Sequence, residues 1–212
     1  KLKVSTKNSV ITNIQRLLIR NLGVVYMKKL VLLFVAFLFI GVNQAFAYRV
    51  TDFSTDAKIV AAMQILEQAG ETDVLRSLER RAVRVKFSNL SMVSYNSANA
   101  FAVSTTNEFG TKVILINSIY RNAPAEQIAC LIAHESCHTG YSATLAEETT
   151  ATQKEAACWT RLKSASKVYP DTKLTRRLDK LSGLYLASDN NNNLVQQKIA
   201  SSSFYRSQLG LN

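Results

Sequence analysis

Histidine is nearly absent from this 212-residue chain: there are two, and no third exists to complete a three-histidine metal site. Cysteine is scarce as well, limited to Cys130, Cys137 and Cys158. An odd number cannot close entirely into a disulfide scaffold, so at least one thiol stays outside any intramolecular pair. Charged residues make up 19% of the chain against 47% hydrophobic ones, a globular composition that excludes a disordered polyelectrolyte. Asp and Glu are missing altogether from residues 1–47, where seven of the 26 Lys and Arg residues lie. That stretch inflates the formal charge of +11: residues 48–212 hold 19 basic and 15 acidic residues, a net of +4, which names no polyanionic partner. The basic cluster Lys173, Arg176, Arg177 and Lys180 has helical spacing and reads as a solvated face, so no nucleic-acid partner is expected. No internal repeat is visible, and the length suits one domain.

The acid-free stretch contains a leader pattern. Lys28 and Lys29 follow Met27, Leu30 to Val42 is an apolar run, and Ala45-Phe46-Ala47 places small residues at a cleavage site. The run is shorter than the roughly 20 residues that span a bilayer. Residues 27–47 therefore read as a signal peptide, with the mature chain starting near Tyr48 and destined for a periplasm or the exterior, with no membrane span after cleavage. Residues 1–26 are expected to be an upstream extension outside the fold, and 48–212 a single domain. In an oxidising compartment two cysteines can pair. Joining Cys158 to Cys130 or to Cys137 would link two of the helices described next.

Apolar spacing predicts a helix, a break at Gly70 and a second helix across 56–82. Residues 82–87 and 90–95 alternate as strands do. Residues 101–105 and 112–117 flank a turn containing Asn107 and Gly110, which predicts a β-hairpin. A core helix is expected from about Asn122 to Gly140, with Pro124 in its first turn, and another from Ala143 to Val168 before Pro170. Leucines 174, 178, 181, 184 and 186 predict a helix after Thr172, broken by Asp189–Asn193; beyond it lies a final helix or loose tail. Trp159 reads as core, and the Ser/Thr-rich 142–152 and the Asn-rich 189–193 as surface. The fold class expected is α+β: a small antiparallel or mixed sheet with a hairpin, packed on the core helix and its successor, with a helical C-terminal part.

Both histidines fall in one string, His134-Glu135-Ser136-Cys137-His138. Residues four apart on a helix leave the same face one turn apart, which brings two imidazoles to a single Zn²⁺ at about 2.0–2.1 Å. Glu135, rotated slightly around the helix, can act as general base toward a water. Two histidines at this spacing with Glu after the first would arise by chance about once in 1,500 placements. Adjacent helix residues diverge by about 100°, so Cys137 is not expected to serve as a nucleophile with His138. A catalytic zinc takes three protein ligands. Without a third histidine the metzincin arrangement is excluded, since its last ligand would fall at Thr144. A carboxylate must then complete the site, from Glu147, Glu148 or Glu155. Glu148 leaves little chain for a reversal after His138, whereas Glu155 leaves room for a turn and two to three helical turns. Asp171, Asp179 and Asp189 match no motif.

At these residues the chain resembles the gluzincin metallopeptidases, over 112–159 and in a minimal-core form. Their third ligand stands in a helix as Glu with a small residue three positions on, and Glu155-Ala156-Ala157-Cys158-Trp159 fits that pattern better than Glu148-Thr149-Thr150-Ala151. The resemblance implies a zinc-dependent peptidase with His134, His138 and Glu155 as ligands and Glu135 as base. It also implies an edge strand of the 101–117 hairpin lining the cleft for an extended peptide substrate. Larger members stabilise the oxyanion with a downstream His or Tyr; here Tyr141, Tyr169, Tyr185 or an arginine would serve, and Tyr141 is nearest the motif. The other expectation is an exported domain of the same fold that holds zinc structurally or binds a partner without catalysis.

Overall fold

The computed structural model describes residues 49–93, 99–139, 144–188 and 193–209. The leader, the upstream extension, Tyr141, the expected helix end at Gly140 and Asp189 lie outside those residues. Residues Arg49–Asn212 cluster as one compact unit.

Helix α1 (Ala57–Gln68) starts where the Asp56 carboxylate accepts from the Lys58 and Ile59 amides, an N-cap that satisfies two otherwise orphaned donors. Gly70, at φ +75°, makes the expected break, and α2 (Thr72–Arg80) follows. Strand β1 (Arg84–Ser88) then begins the sheet. Of the strand expected over 90–95, Leu90–Met92 is instead a 3₁₀ turn, and 94–95 lie outside the described residues. The Asn89 side chain accepts from the Ser91 amide and hydroxyl there, offering the backbone a local alternative to a ladder. Leu90 still enters the core, against Val113 and Leu115.

The hairpin is present. Strand β2 (Ala102–Thr106) pairs antiparallel with β3 (Lys112–Asn117), and the Asn107 carboxamide accepts from the Phe109 and Thr111 amides inside the turn. Gly110 at φ +75° supplies the left-handed residue. β3 also pairs parallel with β1, giving the order β1-β3-β2 and a mixed sheet. β3 is central, and Val113 to Asn117 are all buried.

A 3₁₀ turn at Ser118–Tyr120 leads from β3 into α3 (Ala125–Glu135). Every residue of α3 from Gln127 onward is buried. It packs against α1, against β2 and β3, and against α4 (Leu145–Leu162). The Thr144 hydroxyl caps α4 by accepting from the Glu147 amide. α4 ends at Leu162, short of the expected Val168. The surface expected over 142–152 is only partial: Thr144, Ala146 and Thr150 are exposed, but Glu148, Thr149, Ala151 and Thr152 are buried, and 142–143 lie outside the described residues. Helices α5 (Lys173–Ala187), α6 (Asn193–Ala200) and α7 (Ser203–Leu209) complete the chain, with α5 and α6 packed on α4. Trp159 is fully buried and donates its indole N–H to Asp179 at 2.8 Å. The architecture is α+β with a small mixed sheet and a helical C-terminal part. Among the described residues no helix is long and apolar enough to cross a membrane.

α3 packs on α1, β2, β3, α4 and α5. Ile128 is fully buried within it, so Ile128→Ala should destabilise the protein by about 2–5 kcal/mol, read as a lower urea midpoint at unchanged m-value.

Candidate metal centre

α3 delivers the His-Glu string at its C-terminal end, and the helix does not continue to Gly140 as expected. Regular turns stop at Glu135; the amides of Cys137 and His138 bond back to the carbonyls of His134 and Glu135, three residues earlier, as in a 3₁₀ turn. The cause is visible in the carbonyls. Arg81, at the end of α2, donates to the Ser136 and His138 carbonyls at 2.7 and 2.6 Å and is itself fixed by Ser77, whose hydroxyl also donates to Ser136. A guanidinium thus holds carbonyls that a helix C-terminus leaves unpaired, at the negative end of the dipole.

His134 and His138 nevertheless share one side, their ring centroids 5.2 Å apart. His134, Glu135 and His138 each present a ligand atom within 4.8 Å of the others, so the three form a group able to hold a metal ion. The two Nε2 atoms both face Glu148: His134 Nε2 is 3.8 Å from Oε2 and His138 Nε2 is 3.5 Å from Oε1. These separations exceed good hydrogen bonds. They approach the roughly 3.3 Å between neighbouring ligand atoms around a tetrahedral zinc with 2.0–2.1 Å bonds.

The other nitrogens face other carboxylates. His134 Nδ1 lies 3.0 Å from Glu155 Oε2, close but off the line of a hydrogen bond. His138 Nδ1 lies 3.7 Å from Glu147, whose carboxylate accepts the Thr139 amide at 2.8 Å. Glu155 is gripped from behind by Arg177 of α5, which donates from Nε at 3.0 Å and from Nη2 at 2.7 Å. Both Glu155 oxygens are therefore committed to Arg177, and the one nearer His134 faces Nδ1 rather than the space between the Nε2 atoms. Glu155, the carboxylate the motif favoured, stands behind His134, and Glu148, about two turns earlier on α4, faces the two Nε2 atoms. α4 starts at Leu145, so Glu148 enters in its first helical turn, earlier than the chain length after His138 suggested.

Charge is crowded here and the titrations respond. Burial drives the Glu135 carboxyl up to about 7, with Glu148 and Glu155 adding to the rise against His134. Burial also raises Glu148. Burial opposes ionisation of Glu155 too, but Arg177 and His134 outweigh it and bring its carboxyl down to about 2. Burial and the charge of His134 push His138 down to about 4, a neutral imidazole at neutral pH. For His134, burial is outweighed by Glu155 and Glu135, and its pKa rises.

Of the remaining candidates, Tyr169 packs edge-on to Trp159 with its hydroxyl facing the Ser164 amide, away from the histidines. Asp171 pairs with Arg176, and Asp179 with Lys163 and Trp159. Three contributors escaped the sequence reading. Arg81 carried no local signal. Arg177 belonged to the basic cluster read as a solvated face, yet it turns inward to Glu155. Tyr205 of α7 hydrogen-bonds Arg177, and its hydroxyl is raised by burial. No protein-family model, curated protein or solved structure matches the chain.

Two outcomes follow from this charge arrangement. Glu155→Ala leaves the half-buried Arg177 without its carboxylate and should cost about 1–3 kcal/mol in chemical denaturation. In metal-free protein, Glu135 has a folded pKa above its unfolded one, so its contribution to stability is full below about pH 4.5 and lost as pH rises through about 7. The melting temperature of metal-free Glu135→Gln should accordingly gain on the wild type between pH 4.5 and 7.5, as calorimetry would show.

Proposed function

We propose that this chain is an exported zinc metallopeptidase in which His134, His138 and Glu148 hold the metal and Glu135 is the general base. The observation that carries the reading is the convergence of both Nε2 atoms on one buried carboxylate, with Glu135 beside them. Two imidazoles and a carboxylate with an open fourth position is the donor set of a catalytic zinc, and neutral His138 is in the form that binds metal. When bound there, zinc would polarise a peptide carbonyl and make water more acidic.

The chain's own groups have distinct tasks in this reading. Glu135 takes a proton from the attacking water and returns it to the departing amine; a carboxyl near 7 is suited to both directions at neutral pH. Glu155 and Glu147 stand behind the two Nδ1 atoms and orient the rings so that Nε2 faces forward. Arg177 keeps Glu155 ionised for that purpose. β2 is the sheet edge beside α3, where an extended substrate can add a strand.

A second reading has its own support. His134 and Glu135 are only 7% and 5% exposed, which suits a metal held for structure in a domain that binds a partner. One set of measurements separates the two. Purified protein should carry about one zinc and cleave casein or a peptide library, and Glu135→Gln should keep the zinc while losing roughly 10²–10⁴-fold in rate. Glu148→Ala should abolish stoichiometric zinc, whereas Glu155→Gln should weaken it about 10–100-fold. Zinc binding without cleavage by the wild type would favour the binding domain, and no zinc at all would end both readings.

A further inference from the structure

We propose that Cys130 and Cys158 form a disulfide that closes the segment bearing the metal-binding group, leaving Cys137 as the free thiol. The inference rests on the export reading for its oxidising setting and on the metal reading for its purpose.

α3 and α4 run antiparallel along a shared seam. His138 faces Glu148, and His134 faces Glu155. From His134 and Glu155, one further turn along each helix is four residues back on α3 and three forward on α4. That step arrives at Cys130 and Cys158. Both are wholly buried free thiols on two packed helices, and the Cys158 thiol is near enough to influence the titration of Cys130.

Cys137 is set apart from this seam. It is partly exposed, its thiol points back to the Ala133 carbonyl at 3.6 Å, and its charged neighbours are Lys154, Asp73 and Arg81. Of the two pairings open to Cys158 from sequence, the helix register supports the one with Cys130.

Burial raises the Cys130 thiol well above its ordinary value, so in the docked helices it is a poor nucleophile. The bond therefore forms as the helices come together. One thiolate attacks a donor disulfide, small-molecule or protein, and releases one donor thiol. The second thiolate displaces the other donor thiol from that mixed disulfide; two protein thiols are oxidised and one donor disulfide is reduced. The closed segment contains His134, Glu135, His138, Glu147, Glu148 and Glu155, so the cross-link would restrict the very residues that must converge on the ion.

The test is thiol mapping after refolding of the full chain in a glutathione redox buffer. Alkylation in denaturant without reductant should modify Cys137 alone, and mass spectrometry should recover a peptide linking Cys130 to Cys158. Adding dithiothreitol should lower the melting temperature by roughly 5–15 °C, in wild type and in Cys137→Ser but not in Cys130→Ala/Cys158→Ala. Three modified cysteines, or any linkage that includes Cys137, would overturn the proposal. Should the double variant not fold, Cys137→Ser decides: no modified thiol supports the pair, and two refute it. The same map from the envelope fraction of expressing cells should show the linkage, and three free thiols in exported protein would refute it. Glu135→Gln should give an identical map, because thiol pairing requires no catalysis; failure of the peptidase reading is thereby told apart from failure of this one.

Discussion

The row Arg177–Glu155–His134 runs through the seam of α3 and α4 and ties in α5. A wholly buried carboxylate is costly unless it is paired, and the pair must be well formed to offset the loss of water. Arg177 supplies a two-point grip, the geometry that a planar guanidinium offers and a lysine does not. Since Glu155 is thereby held ionised and in place, the His134 ring has one favoured orientation, with Nδ1 toward α4 and Nε2 toward the gap facing Glu148. The rotation of α4 on α3, the aim of the first histidine and the docking of α5 are aspects of one arrangement.

Around that row the protein gathers more negative than positive charge. Glu135, Glu147, Glu148 and Glu155 surround two imidazoles, and positive charge reaches them from Arg177 and, toward Glu147, from Arg81. In a medium of low polarity these carboxylates cannot all ionise cheaply, which is why Glu135 and Glu148 are pushed upward while Glu155 is pulled down. A divalent cation between the Nε2 atoms and Glu148 would relieve the crowding. The division of labour among the carboxylates therefore follows from which of them has an arginine.

Much of this was legible. The mixed α+β layout, the break at Gly70, the hairpin about Asn107 and Gly110, and the buried helix that leads into the two histidines follow from period and turn chemistry, which act over a few residues. Local competition misled at Leu90–Met92, where alternation resembled a strand but the Asn89 side chain stabilised a turn. The Ser/Thr content of 142–152 suggested surface, although threonines on a helix can return their hydroxyls to the preceding turn and be buried, as Thr149 does to Leu145 at 2.6 Å.

By itself, the amino-acid order determined that two histidines one turn apart and the glutamate between them stand at the end of an apolar helix, with several glutamates following. It could not decide which glutamate, because candidates seven residues apart lie on nearly the same helix face and differ only in depth along the partner helix. The register of α4 on α3 sets Glu148 against both Nε2 atoms and Glu155 against His134 Nδ1. Arg177 and Arg81 entered on the same terms: each reaches the site from a separate helix, and contacts made across dozens of residues leave no period in the chain. Only the folded arrangement of α2, α3, α4 and α5 brings those charges within reach of one another.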